Sequence, residues 1–328
     1  MKNFLSGIFF LFLSTSVNAQ TSYRVQDFSP KYYAEVTIPE NGENDLITPG
    51  AINIYNKKTN ALILNHESEE LSLDIQNQNV VVNVKQLPYG EQSALISEDF
   101  NFDGMADLAL RDGSNSCYGG PSITVYLATR NGFRKSPEFT DLAQSYCGMF
   151  SVDPETKTLS TMTKSGCCWH QFSEFKVIND KPVPIYITEE GVDTTGFTVT
   201  ITEQKRVNGN MRKKSHQLLL KEQLEPVCEL SFTNKKEMGL YQFSRDTAEL
   251  LYVFMNAEGH VELIYDGSFI FNQKNQTLSF KNKEVTYTLK ATGISVQLPA
   301  RTVNMSSTGK CFKWNKEQFG KFSNVTVL

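Results

Sequence analysis

Residues 99–110 read Asp99-Phe100-Asn101-Phe102-Asp103-Gly104-Met105-Ala106-Asp107-Leu108-Ala109-Leu110. Oxygen-bearing side chains stand at 99, 101, 103 and 107, and the Met105 backbone carbonyl falls between the last two. A hard cation such as Ca²⁺ takes about six to eight oxygen ligands at roughly 2.3–2.6 Å, and a short loop of this kind supplies most of them. Gly104 stands where the loop must turn sharply through a positive φ. A helix–loop–helix calcium site needs a glutamate at the twelfth position, and here that position is Leu110. Leu108-Ala109-Leu110 therefore reads as a strand leaving the loop. The alternative is a plain Asp/Asn/Gly turn without an ion. Clustered carboxylates repel one another without a cation, which makes that a costly use of three aspartates. Structural Ca²⁺ held by Asp99, Asn101, Asp103, Met105 and Asp107 is the expectation.

Outward from this loop nearly every segment reads as strand. Tyr33 to Ile38 alternates, and Asn41-Gly42 then turns the chain. Ile52–Tyr55 and Leu62–Leu64 flank a Lys57-to-Asn60 turn. Leu71–Ile75 and Val80–Val84 flank polar residues 76–79, and Ile123–Leu127 follows a Gly-Gly-Pro turn. Phe172–Ile178 and Val183–Ile187 flank Asn179-Asp180. Short β-branched and aromatic runs at roughly ten-residue spacing predict a sandwich, barrel or propeller. Helix is expected only at Glu138–Gln144 and Asn315–Phe319. A turn-rich stretch, Gly191 to Gly196, and a basic hairpin around Asn208-Gly209-Asn210 mark a boundary near 191–225. That hairpin carries Lys205, Arg206, Arg212, Lys213 and Lys214. It reads as a solvated turn, with a patch for anionic lipid or polysaccharide as the alternative. Beyond it, residues 225–328 again alternate as strands. The expected organisation is all-β: a small propeller-like domain over 20–195, a linker or hairpin over 196–224, and a second antiparallel sandwich- or barrel-like domain over 225–328.

The first nineteen residues read as an export signal. Lys2 precedes an apolar run from Phe4 to Leu13, and Val17-Asn18-Ala19 offers small residues for cleavage before Gln20. The run is shorter than the about 20 residues a spanning helix needs. An uncleaved anchor is the alternative. No second transmembrane candidate follows, so the expected location is the periplasm, or outside the cell if secreted. The formal net charge of −4 argues against nucleic acid as a partner. The six cysteines are Cys117, Cys147, Cys167, Cys168, Cys228 and Cys311. An even count in an exported chain favours disulfides. The arrangement we favour is Cys117–Cys147, Cys228–Cys311 and a vicinal Cys167–Cys168 bond. Other pairings for Cys167 and Cys168, or reduced thiols, are the alternatives.

Calcium loops of this pattern between strands resemble the FG-GAP repeats of integrin-type propellers. Two further segments follow: Tyr118-Gly119-Gly120-Pro121-Ser122-Ile123-Thr124-Val125-Tyr126, and Lys164-Ser165-Gly166-Cys167-Cys168-Trp169-His170. Together with 99–107 and Phe150–Asp153, they resemble a family of bacterial periplasmic lysozyme inhibitors built on a small calcium-binding β-propeller. The resemblance covers residues 22–190 and leaves the C-terminal domain without a role. It implies a protein that plugs the cleft of a lysozyme or related peptidoglycan hydrolase with a loop. The family's Tyr-Gly-Gly motif corresponds to Tyr118, Gly119 and Gly120, and its later tyrosine to Tyr126. A further family tyrosine is replaced here by Ile123. The Ser-Gly-x-x-Tyr motif of other lysozyme inhibitors corresponds to Ser165, Gly166 and Trp169, with tryptophan in place of tyrosine. Each also has a structural reading: Tyr126 as a core residue, Ser165-Gly166 as a turn, and Trp169 as a packed side chain.

No catalytic motif competes with this reading. His66, His170, His216 and His260 are scattered, and neither His-Glu-x-x-His, Gly-x-Ser-x-Gly nor a phosphate-binding glycine loop occurs. Acidic residues are too numerous for a glycosidase pair to be singled out. A binding protein rather than an enzyme is expected, and an adhesion or scaffold module holding protein or glycan is the alternative.

Overall fold

The computed structural model describes residues 20–40, 47–86, 90–244 and 248–328. The predicted export signal and the Asn41-Gly42 turn lie outside them. The fold is all-β, built almost wholly of antiparallel strands that pair in chain order. The chain divides into two compact units. One holds the residues up to Thr163 together with Glu174–Pro184, and the other holds Lys164–Ser173 and Ile185–Leu328.

The first unit opens with a four-stranded meander, β1 (Gln20–Val25), β2 (Tyr32–Pro39), β3 (Thr48–Asn56) and β4 (Leu62–Leu71). Alternation in β2 and β3 sends Ala34, Val36, Ile52 and Ile54 inward, each almost completely buried. The expected strand Leu71–Ile75 is broken. Its ends belong to β4 and to a two-residue strand, β5 (Ile75–Gln76), which pairs with β6 (Asn79–Val80). Asn77 and Gln78, both at positive φ, turn the chain between them.

A second meander follows, β7 (Leu95–Glu98), β8 (Asp107–Arg111), β9 (Ile123–Thr129) and β10 (Gly132–Lys135). This sheet is buried on both faces. Leu108, Leu110 and Tyr126 enter one core with Ile52 and Ile54. Ala109, Val125 and Leu127 enter another with Phe100, Phe139 and Phe150. That explains the unbroken apolar run after Asp107, the pattern of a strand covered on both sides. Burying each leucine contributes about 1.5–3 kcal/mol. Helix α1 (Pro137–Gln144) covers this second core and is capped by the Ser136 hydroxyl, which accepts from the Phe139 N–H.

Next come β11 (Ser151–Asp153), β12 (Thr158–Ser165), β13 (Trp169–Ile178), β14 (Lys181–Val192), β15 (Thr198–Val207) and β16 (Asn210–Leu219), paired in that order. Strands β12, β13 and β14 each pass from one unit to the other. The β13–β14 turn uses Asn179 and Asp180 at φ 52° and 55°, the mirror-image geometry that suits strand twist. The composition-marked stretch 196–224 contains the β15–β16 hairpin of the second unit, turned by Asn208 and Gly209 at φ 52° and 83°.

The second unit continues with β17 (Glu225–Ser231), β18 (Glu237–Ser244), β19 (Ala248–Met255) and β20 (Val261–Tyr265). A last sheet holds β21 (Phe269–Asn272), β22 (Thr277–Asn282), β23 (Val285–Lys290), β24 (Gly293–Gln297) and β25 (Thr302–Ser306). After a one-turn helix, α2 (Lys316–Phe319), strand β26 (Val325–Val327) returns parallel to β21. Phe269, Phe271, Phe280, Tyr252 and Phe319 fill the core between these sheets.

All three favoured disulfides are formed: Cys117–Cys147, Cys167–Cys168 and Cys228–Cys311. No helix among the described residues is long and apolar enough to cross a membrane.

Candidate functional site

The acidic loop leaves β7 and enters β8. Its shape is fixed by side chains that cap its own backbone. Asp99 accepts from the N–H groups of Asp103 (3.1 Å) and Gly104 (2.9 Å). Asp103 accepts from the Met105 N–H at 2.8 Å. The Asn101 carboxamide donates to Asp103 and to Asp180, which in turn accepts from Arg134 at 2.8 Å. Phe102 and Gly104 both take positive φ, 62° and 87°, as the sharp reversal requires.

Asp107 differs from its neighbours because it is completely buried. Its carboxylate accepts from the N–H of Phe100 (2.8 Å) and from the N–H of Ala128 on β9 (2.7 Å). Burial pushes its pKa up to about 7, and the charges of Asp103 and Asp99 add to that push. Three carboxylates, an amide oxygen and a backbone carbonyl in nine residues match the chemistry of a hard cation. Among the described residues no three His, Cys, Asp or Glu side chains converge as a ready metal cluster. The oxygens of Asp99 and Asp103 are turned to groups of the loop itself, while those of Asp107 are divided between Phe100 and Ala128 of β9.

The Tyr-Gly-Gly segment forms a tight knuckle. Ser116 and Gly120 pair as an isolated bridge, and the Gly120 N–H donates to the Cys117 carbonyl at 3.1 Å. Tyr118 sits at φ 58°, ψ 28°, followed by Gly119 at φ 73°. Glycine takes this conformation freely, whereas an L-residue such as tyrosine is strained in it by about 1–2 kcal/mol. Tyr118 is nevertheless 66% exposed. Cys117 ties the knuckle to buried Cys147, whose N–H donates to the Met162 carbonyl on β12. On the outgoing side, the Ser122 hydroxyl donates to the Asp112 carbonyl and the Thr124 hydroxyl to the Asp112 carboxylate, both at 2.7 Å.

Tyr126 is in the core, 9% exposed. Its hydroxyl lies 3.1 Å from His66 Nδ1, and His66 Nε2 lies 2.8 Å from the Arg111 carbonyl. A carbonyl only accepts, so Nε2 carries the proton and Nδ1 accepts from the tyrosine. Burial lowers the His66 pKa and raises that of Tyr126, which keeps both neutral. Nothing in the sequence couples His66 to Tyr126, sixty positions apart. Ile123 is also buried.

Ser165, Gly166 and Trp169 belong to the second unit, apart from the unit that holds Tyr118. Ser165 to Cys168 form an exposed turn between β12 and β13, with Gly166 at φ 62°. Trp169 is half-buried and lies along Gly191 of β14, where an added Cβ would stand 3.6 Å from the indole.

No family model matches the chain, and no curated protein matches it. Among solved structures it is similar to one described as a Xanthomonas type IV secretion system related protein. That match has 19% identity and a TM-score of 0.47, over 61% of this chain and 94% of the other. It also matches TolB from Acinetobacter baumannii at 10% identity and TM-score 0.21, over 87% of this chain and 65% of that one. A eukaryotic initiation factor matches at 8% identity and TM-score 0.21, over 93% and 88% respectively.

Proposed function

We propose that this protein is an exported, periplasmic inhibitor of a lysozyme or related peptidoglycan muramidase, and that the Cys117–Gly120 knuckle is the element that enters the enzyme's cleft. One observation carries the reading: a strained, two-thirds exposed tyrosine at the tip of a disulfide-tied turn. Backbone strain kept at an exposed position is a mark of functional sites. An aromatic anchor presented on a pre-ordered loop loses little entropy on binding. Gly119 and Gly120 add no side chains beside it, so the backbone can follow the ring into a narrow groove. The glycosidase cleft offers a long saccharide groove flanked by two carboxyls, and a ring with a hydroxyl donor is suited to it.

Calcium belongs to the same proposal. Asp99, Asn101, Asp103, Asp107 and the Met105 carbonyl would hold it. When bound, the ion supplies charge neutralisation for a buried carboxylate. Asp107 already reaches Ala128 of β9, the strand that leaves the knuckle, so the loop's order is passed to the binding element. Ser165 and Gly166, in an exposed turn of the second unit, and half-buried Trp169 at the start of β13 are assigned as further partner-binding residues of that unit.

The test is clearing of a peptidoglycan suspension by a panel of lysozyme classes, with and without the protein, in calcium and in chelator. Inhibition of one class, weakened in chelator, is expected. No inhibition of any class would refute the proposal and favour an adhesion or scaffold module.

A further inference from the structure

The basic hairpin takes no part in the proposed inhibitory site. Strand β16 is the terminal strand of its sheet. Lys205 on β15 lies directly opposite Arg212 on β16, and Tyr186 on β14 is in register with Lys205. Two positions along the same face, Glu203 lies opposite Lys214. These residues, with Lys213, line an open cavity of about 420 Å³. The one carboxylate there, Glu203, accepts from the Tyr186 hydroxyl at 2.5 Å. None of Lys205, Arg212, Lys213 or Lys214 closes an ion pair among the described residues. Like charges directly opposite across an antiparallel pair are destabilising. Here a Lys–Arg pair is kept in a protein whose net charge is −4.

We propose that this face of the β15–β16 hairpin is a docking site for an anionic polysaccharide. Arg212 and Lys214 are spaced two residues apart on a strand, about 7 Å, with Lys205 about 5 Å across from Arg212. That is a track for successive negative groups on a polymer; a single small anion reaches only part of it. No large apolar side chain of residues 198–219 is exposed, so the hairpin offers nothing to insert into a bilayer. The shape is rigid. The Arg206 guanidinium donates to the Gly209 carbonyl at 2.6 Å, and the Asn208-Gly209 turn fixes the register.

Lysine on an edge strand also discourages edge-to-edge aggregation. That role needs charge on β16 alone, whereas Lys205 stands one strand in. The Lys205→Glu variant separates the two. It replaces a repelling cross-strand pair with an attractive one, so its thermal midpoint is expected to equal or exceed that of the parent. Its affinity for heparin oligosaccharide is expected to fall roughly tenfold at moderate salt, from the change of two charges against the bound chain. Lys281→Glu, an exposed position on the last sheet with the same change of two charges, serves as the charge control and is expected to bind like the parent. Equal losses for the control and Lys205→Glu would overturn the proposal, as would unchanged heparin binding by Lys205→Glu. Binding to phosphatidylglycerol vesicles without binding to heparin would overturn it too.

Discussion

The two long-range disulfides lie one in each unit, which makes their contributions separable. Cys117 and Cys147 are 30 positions apart, and Cys228 and Cys311 are 83 apart. In the chain-entropy description, a crosslink restricts the unfolded chain by an amount that grows with the logarithm of the loop. It gives about 3.6 kcal/mol for the first bond and about 4.5 kcal/mol for the second at 25 °C. Cys167 and Cys168 are adjacent, so only the constant part of the same description remains, about 0.6 kcal/mol. Three double serine variants, one per disulfide, test this in urea, each followed by a probe in its own unit. With a denaturant slope of about 2 kcal/mol per M, the Cys117/Cys147 variant should shift its unit's midpoint down by about 2 M. The Cys228/Cys311 variant should shift it slightly further. The Cys167/Cys168 variant should leave the midpoint almost in place. The reasoning fails if the vicinal pair costs as much as the Cys117–Cys147 bond. The first variant also bears on function: a knuckle that stays folded but loses inhibition would show that the disulfide acts by ordering Tyr118.

Tyr118→Gly should relieve about 1 kcal/mol of left-handed strain and leave the fold at least as stable, yet weaken inhibition at least 30-fold, the effect of losing a 2 kcal/mol anchor; retained inhibition would remove Tyr118 from the interface. Asp103→Asn should lower the melting temperature in calcium and change little in chelator, as measured by scanning calorimetry; equal losses in both would reject a metal role for Asp103. His66 is buried with its pKa lowered, so the unfolded chain takes up its proton first as pH falls. The His66 contribution should therefore be complete above the ordinary histidine value of about 6.5 and be lost as pH drops below it. Buried Asp107, raised to about 7, adds a slope of opposite sign to parent and variant alike, so the readout is the difference between them. Relative to His66→Gln, the parent's urea midpoint should fall as pH drops from 8 to 5, and an identical pH dependence in both would refute it.

What was legible in the sequence is what is local. Asn179-Asp180 and Asn208-Gly209 announce their turns because only a few residue types tolerate the positive φ at both positions. Leu108-Ala109-Leu110 reads as a strand because both its faces are buried. The two expected helices, Glu138–Gln144 and Asn315–Phe319, fall on α1 and α2, and the structure adds their caps, Ser136 and Asn315. What was not legible depends on distant partners. The break in the run after Leu71 follows from a two-residue ladder that local propensity does not encode. The place of Tyr126 depends on a histidine sixty residues away. The half-burial of Trp169 depends on Gly191, on a strand whose register no short pattern specifies. The same holds for the division of β12, β13 and β14 between the two units.

The first unit's candidate residues are connected through one strand. Asp107 ends the acidic loop and begins β8, and its carboxylate bonds the Ala128 N–H near the far end of β9. Tyr126, two residues earlier, is pinned to His66, and Thr124 and Ser122 are pinned to Asp112 just beyond the end of β8. The knuckle is the segment immediately before these anchors, and its other side is tied to Cys147. Every second residue from Ser122 to Ala128 is thus held by a polar bond from outside its own strand pairing. A cation that drew Asp99 and Asp103 together would remove the repulsion now felt by buried Asp107 and strengthen the first anchor in that series. The knuckle would then lose less conformational freedom on binding, so the proposed ion acts on affinity without touching the partner.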